Sequence, residues 1–514
     1  MLKNYKKILS IISYILLFEL ISLFGYLLPD FRQISFIIIA SLFLLISLKD
    51  YRLGILILLI ELIIGSKGYL FYFEYDGLVV SFRIYMWLIV VSIYFSNFLL
   101  KIVNFKKYKI KDLKKKVLNI FKNKNFLVLA ILFVFIFWGL INGIFNKNSF
   151  SNLFFDFNAW LYFLLVFPLV SFIELKPLEG FKNNLEAISV IFIASISWLI
   201  IKTYILLFIF SHKILSVIPE LYRWIRTTGV GEITSMDGGF YRIFFQSHVF
   251  LLVAFFIVLV FINIKLKEKK EIFKKTYLLF LYLSLILSII LVTFSRSFWV
   301  GLLSGILLFF IYEIFYKKSC FKNILKISLI LFLSLISSVI IITGIVKFPY
   351  PSSTGNFSTT QLLSERAKQV SGEAGVSSRW LLLPKLMDEI KDSFILGKGF
   401  GATVTYKTED PRILETSANG IYSTYAFEWG WLDIWLKLGI FGLFTYLILS
   451  VFLVIDGLKS KNEINNAISI GFFSVLMVSI FSPYMNHPLG IGFLLIFLVY
   501  LIKNNRMNFF NNNF

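Results

Sequence analysis

The stretch SFRIYMWLIVVSIYFSNFLLKIVNFKKYKIKDLKKKVLNIFKNKNFLVLAILFVFIFWGLINGIF, Ser81 to Phe145, holds the two patterns that decide the fold. Apolar runs at 79–100 and 126–145 are each long enough for a helix to cross a bilayer. Between them, Lys101 to Asn125 carries ten lysines and a single acid, Asp112. A connection this rich in lysine is expected on the cytoplasmic side of a membrane. Read outward from here, the chain offers fourteen apolar stretches, at 8–28, 34–48, 53–66, 79–100, 126–145, 157–173, 187–210, 243–264, 276–294, 298–315, 327–347, 434–457, 467–483 and 489–502. Several are short, so the expected fold is an all-α, polytopic transmembrane helical bundle of about 12–14 spans with one long extracytoplasmic loop.

Composition agrees with that class. The 514 residues are 58% hydrophobic, 18% aromatic and 16% charged, which excludes a string of soluble domains. The net charge of +22 does not point to nucleic acid, because the basic runs cap apolar stretches and lack aromatic interleaving. Membrane lipids are the expected partner of these lysines. The N-terminal MLKNYKK resembles the start of a signal peptide, but the apolar run Ile8–Leu28 has no A-x-A site and is expected to stay as the first span. Cys320 is the only cysteine, so no disulfide or thiolate metal site is expected.

Lysine parity sets the topology. With the N-terminus inside, KDYR (49–52), the ten-lysine loop, KLKEKKEIFKK (265–275), YKKSCFKNILK (316–326) and KSKNEINN (459–466) all fall in the cytoplasm. The ELKPLEGFKNN connection (174–184) is weaker but compatible. Both termini are then cytoplasmic, and two long segments lie outside, 211–242 and roughly 347–425. The expected organisation is an N-terminal bundle at 1–346, an extracytoplasmic loop subdomain at 347–428, and C-terminal spans with a cytoplasmic tail at 429–514. Pro349, Pro351 and Gly355 open the loop, and QLLSERAKQV (361–370) reads as a short helix. Ser377 or Ser378 is placed to cap a second helix running through Asp392, with Pro384 leaving its start open. No internal repeat of the kind found in many transporters is visible.

The arginines do not follow the lysines. On this map nine of eleven lie outside: Arg32, Arg83, Arg223, Arg226, Arg242, Arg296, Arg366, Arg379 and Arg412. The forked guanidinium suits phosphate and carboxylate ligands, so these residues are candidates for an anionic substrate group. Glu19 and Glu61 fall within spans, where short spans or an interior pairing with Arg83 would account for them.

Three constellations carry chemistry. LVTFSRSFWVGLLSG (Leu291–Gly305) places Ser295-Arg296 at an outward turn between two spans; interface anchoring by arginine and tryptophan is the structural alternative. SSRWLLLPKLMDEIKDSFILGKGFGA (Ser377–Ala402) is an arginine-headed helix followed by Gly397, Gly399 and Gly401. Those glycines are no dinucleotide fingerprint, since no strand-turn-helix unit surrounds them, and a tight turn is the simpler reading. FEWGWLDIWLKLGIFGLFTYLIL (Phe427–Leu449) runs from an amphipathic outer segment into a span past Gly439 and Gly442.

In this order the three resemble the membrane family of O-antigen ligases and O-antigen or capsule polymerases. Its members show a Thr-x-Ser-Arg turn, then an outer loop with an arginine-led helix and a Gly-x-Gly-x-Gly turn, then a His-Asn-x-Tyr-Leu segment leading to Gly-x-x-Gly. The corresponding residues here are Thr293 to Arg296, Arg379 with Gly397, Gly399 and Gly401, and Glu428 to Leu432 with Gly439 and Gly442. The resemblance covers roughly residues 240–460 and implies a bacterial cytoplasmic-membrane glycosyltransferase. Its donor would be a glycan on a polyprenyl diphosphate carrier, and its acceptor a glycan or lipid at the outer face. It would be inverting, metal-independent and without a cofactor. Arg296 and Arg379 would bind the diphosphate, with Arg242, Arg223, Arg226 and Arg83 as further substrate-binding candidates. The absence of HExxH, of paired acids at metal spacing and of an outer histidine cluster leaves arginine to supply positive charge.

The family's histidine is absent, and Glu428 stands in its place. A carboxylate can serve as general base, and because the histidine marks ligases, its loss favours a polymerase. An exposed interfacial acid is the structural alternative for Glu428, and His248 and His487 are alternative bases. A lipid-linked oligosaccharide flippase or another multispan transporter is the rival function, but the lopsided plan with one large outer loop favours the enzyme.

Overall fold

The computed structural model describes residues 4–75, 78–103, 123–214, 216–236, 239–267, 273–351, 374–408, 411–414, 417 and 419–511. The expected helix at 361–370, with Arg366, and most of the ten-lysine loop lie outside the described residues. Each of the fourteen apolar stretches overlaps helix, although 79–81 and 243–245 are strand and 157–173 is built from three successive helical pieces. Among the described residues ten helices are long and apolar enough to cross a membrane, and Thr276–Val292, Glu463–Val478 and Pro488–Ile502 are shorter apolar ones. The remaining stretch forms Tyr51–Ile64, whose start is fixed by Asp50: its carboxylate accepts from the Arg52 backbone N–H and from the Arg52 guanidinium. The protein is therefore an all-α, multi-pass membrane protein. Large apolar side chains such as Leu45, Val134, Phe321 and Ile340 remain exposed along the helices, the pattern of surfaces that face hydrocarbon.

The chain separates into two compact units that are discontinuous in sequence. The first comprises 1–96 and 165–364. Its long helix Asn184–Ser211 packs against Tyr5–Leu27 and Tyr51–Ile64. Buried ion pairs among the described residues of this unit join Arg83 Nε to Glu61 at 2.7 Å and Lys202 Nζ, on that long helix, to Glu19 at 2.7 Å. A charge removed from water in a low-dielectric interior needs such a partner. Arg83 thus serves Glu61 alone of the two in-span acids, and Glu19 takes a lysine the sequence reading passed over.

The second unit comprises 97–164 and 365–514. Its central contact joins Lys124–Phe145 to Gly430–Leu458. The helix Ala374–Asp392 begins ten residues before Pro384, which sits inside it and forgoes one helical hydrogen bond. Leu382, Leu386 and Ile390, spaced by one helical turn, bury against Ala402, Val404, Tyr406, Phe427 and Leu436. Val404 and Tyr406 come from a short antiparallel hairpin, Val404–Lys407 with Ile421–Thr424. Two further hairpins, Tyr72–Tyr75 with Leu78–Ser81 and Gly231–Ser235 with Tyr241–Phe245, belong to the first unit. These hairpins were not expected from the sequence. Strands of four or five residues are too short to stand out by alternation.

Candidate active site

In the second unit the glycine turn is built into the helices around it. Gly397, Gly399 and Gly401 have φ of +71°, +77° and +76°, a region glycine reaches without cost. Gly439 has φ +71° and breaks Gly430–Leu458 into two halves. The turn enters that break. Lys398 N–H donates to the Leu436 carbonyl at 2.6 Å, and Ile440 N–H donates to the Phe394 carbonyl at 3.1 Å. On the other side Phe400 N–H donates to the Gly139 carbonyl at 3.0 Å, and Asn142 Nδ2 donates to the Gly397 carbonyl at 2.8 Å. A Cβ at Gly397 would stand 2.6 Å from Gly439 N, one at Gly401 2.6 Å from Leu153 N, and one at Gly399 would overlap Gly143. The amides of Gly397, Lys398, Phe400 and Gly401 are committed to the protein, so the turn is a tight structural crossing.

Beneath it lies a cluster of charge that sequence reasoning missed. Lys437 Nζ is 2.6 Å from Asp156 Oδ1 and 2.5 Å from Asp433 Oδ1, with its side chain 1% exposed. Asp156 also accepts from Gly401 N–H at 2.8 Å, and Asn486 Nδ2 donates to Asp433 and to the Gly430 carbonyl. One lysine therefore ties the half-helix before Gly439 to Phe150–Asn158 and, through Asp156, to the glycine turn. The sequence signal was an acid and a lysine one helical turn apart inside an apolar run, Asp433 and Lys437.

This frame positions the candidate site. Glu428 lies just before the half-helix, and Arg379 lies in the first turns of Ala374–Asp392. Arg379 Nε donates to a Glu428 carboxylate oxygen, across 49 residues of sequence, and both side chains remain partly exposed. The Trp429 indole N–H donates to the Arg379 carbonyl at 3.1 Å, which ties the two segments again. The alternative base His487 is partly buried at the start of Pro488–Asn511, where its backbone N–H donates to the Tyr484 carbonyl. Among the described residues no group of three or more His, Cys, Asp or Glu side chains is arranged to hold a metal ion.

The first unit holds Arg296 and the further substrate-binding candidates Arg242, Arg223, Arg226 and Arg83. In the turn Thr293-Phe294-Ser295-Arg296, Phe294 is buried at φ +47° and Ser295 N–H donates to Thr293 Oγ1 at 3.2 Å. Arg296 is the first residue of Arg296–Ile311. Arg242, on the strand Tyr241–Phe245, donates through Nε to the Thr293 carbonyl at 2.7 Å, so the structure brings this candidate to the same turn. Arg223 and Arg226 lie on the exposed side of Ile218–Thr227, near Glu220 and Glu232 respectively. Arg83 is buried against Glu61. His248 is fully buried; its Nδ1 accepts from Phe245 N–H, and Nε2 is 3.0 Å from Thr203 Oγ1. A ring so enclosed has a structural job.

Residues 281–447 match the family model described as O-antigen ligase. That match supports assigning the chain to the O-antigen ligase and polymerase family. The matched region of this O-antigen ligase-like protein includes Arg296, Arg379, the three turn glycines, Glu428 and Gly439. The match supports, in general terms, a glycosyltransferase-like function of the O-antigen ligase or polymerase type. No curated protein matches the chain.

Proposed function

We propose that the protein is a polysaccharide polymerase of the bacterial cytoplasmic membrane, extending a glycan at the outer face from a polyprenyl-diphosphate-linked donor. The observation that supports this reading best is the Arg379–Glu428 pair, a base and an anion-binding group side by side within the family-matched region. The acceptor's sugar hydroxyl attacks the anomeric carbon of the donor, and the bond from that carbon to the diphosphate oxygen breaks. The hydroxyl proton passes to Glu428. The electron pair leaves on the diphosphate, whose growing charge Arg379 stabilises. Attack opposite the leaving group inverts the anomeric centre. A diphosphate outbids a single carboxylate for a guanidinium, so donor binding draws Arg379 from Glu428 and leaves the carboxylate ready for the proton. In the first unit, Arg296 and Arg242 offer the same guanidinium chemistry to an anionic ligand.

Cell-surface glycan from a strain lacking the protein tests the assignment. Single repeats on the normal acceptor are expected of a polymerase. Full-length unattached chains mean a ligase, and carrier-linked repeats trapped inside mean a flippase and end the transferase reading.

A further inference from the structure

We infer that Trp380 and Trp429 form a stacking subsite for the acceptor's sugar ring beside Glu428, an inference that rests on the transferase reading above. Each tryptophan directly follows a member of the ion pair, Trp380 after Arg379 and Trp429 after Glu428. The two rings meet edge to face, with centroids 5.5 Å apart and planes at 71°. Trp429 is held by its indole bond to the Arg379 carbonyl and by Phe481, whose ring centroid is 5.6 Å away. Trp380 is 54% exposed, so a fixed aromatic corner presents one open ring. Hydrogen-bonding groups stand close by: the charged pair, and Ser378 Oγ bonded to Tyr406 Oη at 2.9 Å.

A pyranose matches this combination. Its axial C–H bonds make one face weakly positive and apolar, which suits the negative face of an indole. Its hydroxyl rim needs charged or hydroxyl partners at the edge of that ring. A sugar seated on Trp380 would bring a hydroxyl to Glu428, the geometry proton removal requires.

The probe is a single-repeat oligosaccharide released from the host's own surface polysaccharide. Its binding to the purified full chain in lipid is read by equilibrium dialysis, and acceptor KM and kcat by turnover with the lipid-linked donor. Trp380→Ala is expected to weaken binding and raise acceptor KM by about ten-fold, with kcat nearly unchanged, the scale of one lost aromatic contact. Trp380→Phe should recover most of it. Unchanged binding in the alanine variant overturns the subsite, even where wild-type turnover upholds the transferase. Quenching of the Trp380-dependent fluorescence by brominated lipid also overturns it, because the ring is then a membrane-interface anchor. Trp380-dependent binding without any wild-type turnover supports the subsite and sinks the transferase reading instead.

Discussion

Arg379 donates through Nε to the carboxylate of Glu428, joining the first turns of one helix to the residue that stands where the resembling family has a histidine. The pair is partly exposed, so it contributes only about 0–1 kcal/mol to folding. Its removal should therefore register in activity and leave the fold intact. Lysine keeps the charge at position 379 but loses the planar fork. Arg379→Lys should reach the membrane at wild-type levels and lose roughly 10- to 100-fold in turnover, the scale of one charged hydrogen bond. Glycan chains of normal length from this variant would return Arg379 to interface anchoring.

Lys437 is the keystone of the second unit, flanked by Asp156 and Asp433 in the interior. Lys437→Met leaves two buried carboxylates with no cation, and breaking a buried pair this way costs about 3–5 kcal/mol. A large fall in thermal stability is expected in detergent. Adding Asp156→Asn and Asp433→Asn should restore much of it, since the stranded charges are then gone. A single variant as stable as the wild type would show that the cluster does not hold the half-helix.

Gly399 and Gly344 make a matched pair. Gly399→Ala forces a side chain into φ +77° and against the Gly143 backbone, costing more than the roughly 1–2 kcal/mol of the left-handed conformation alone. Gly344 lies within Phe321–Val346 with open space around it, so Gly344→Ala should be neutral or slightly stabilising. Folded yield of the two variants after solubilisation is the check; equal yields would show that the turn is not wedged against Gly143.

Topology can be read with a native reporter. Cys320 is exposed and falls in a lysine-rich loop expected in the cytoplasm. A membrane-impermeant maleimide added to intact cells should spare the wild type and label the Cys320→Ser, Ser423→Cys variant, whose new thiol lies on an exposed strand position. Labelling of wild-type protein in intact cells would reverse the map.

The helices were legible because span length and lysine placement are local properties of the chain. All fourteen apolar stretches are helical over most of their length, and the glycines at 397, 399 and 401 form the tight turn their spacing suggested. What the turn does was not legible. Its partners are Gly139, Asn142 and Leu436, and only the break at Gly439 lets it pass between helices. The Lys437–Asp156 contact joins residues 281 apart, so no window of sequence contains it. Arg83 illustrates the converse. It was singled out for its place on the map, yet burial against Glu61 gives it a structural task.

Turnover of Glu428→Gln, purified in lipid with a lipid-linked donor, decides whether Glu428 is the base. Glutamine keeps the size and most hydrogen bonding of the side chain but cannot accept the proton. A loss of roughly 10²- to 10⁴-fold in kcat is expected. Donor binding should be no weaker than in wild type, because Arg379 is then relieved of a competing carboxylate. Full turnover by the glutamine variant would contradict the assignment of Glu428 as the base and pass the role to His487.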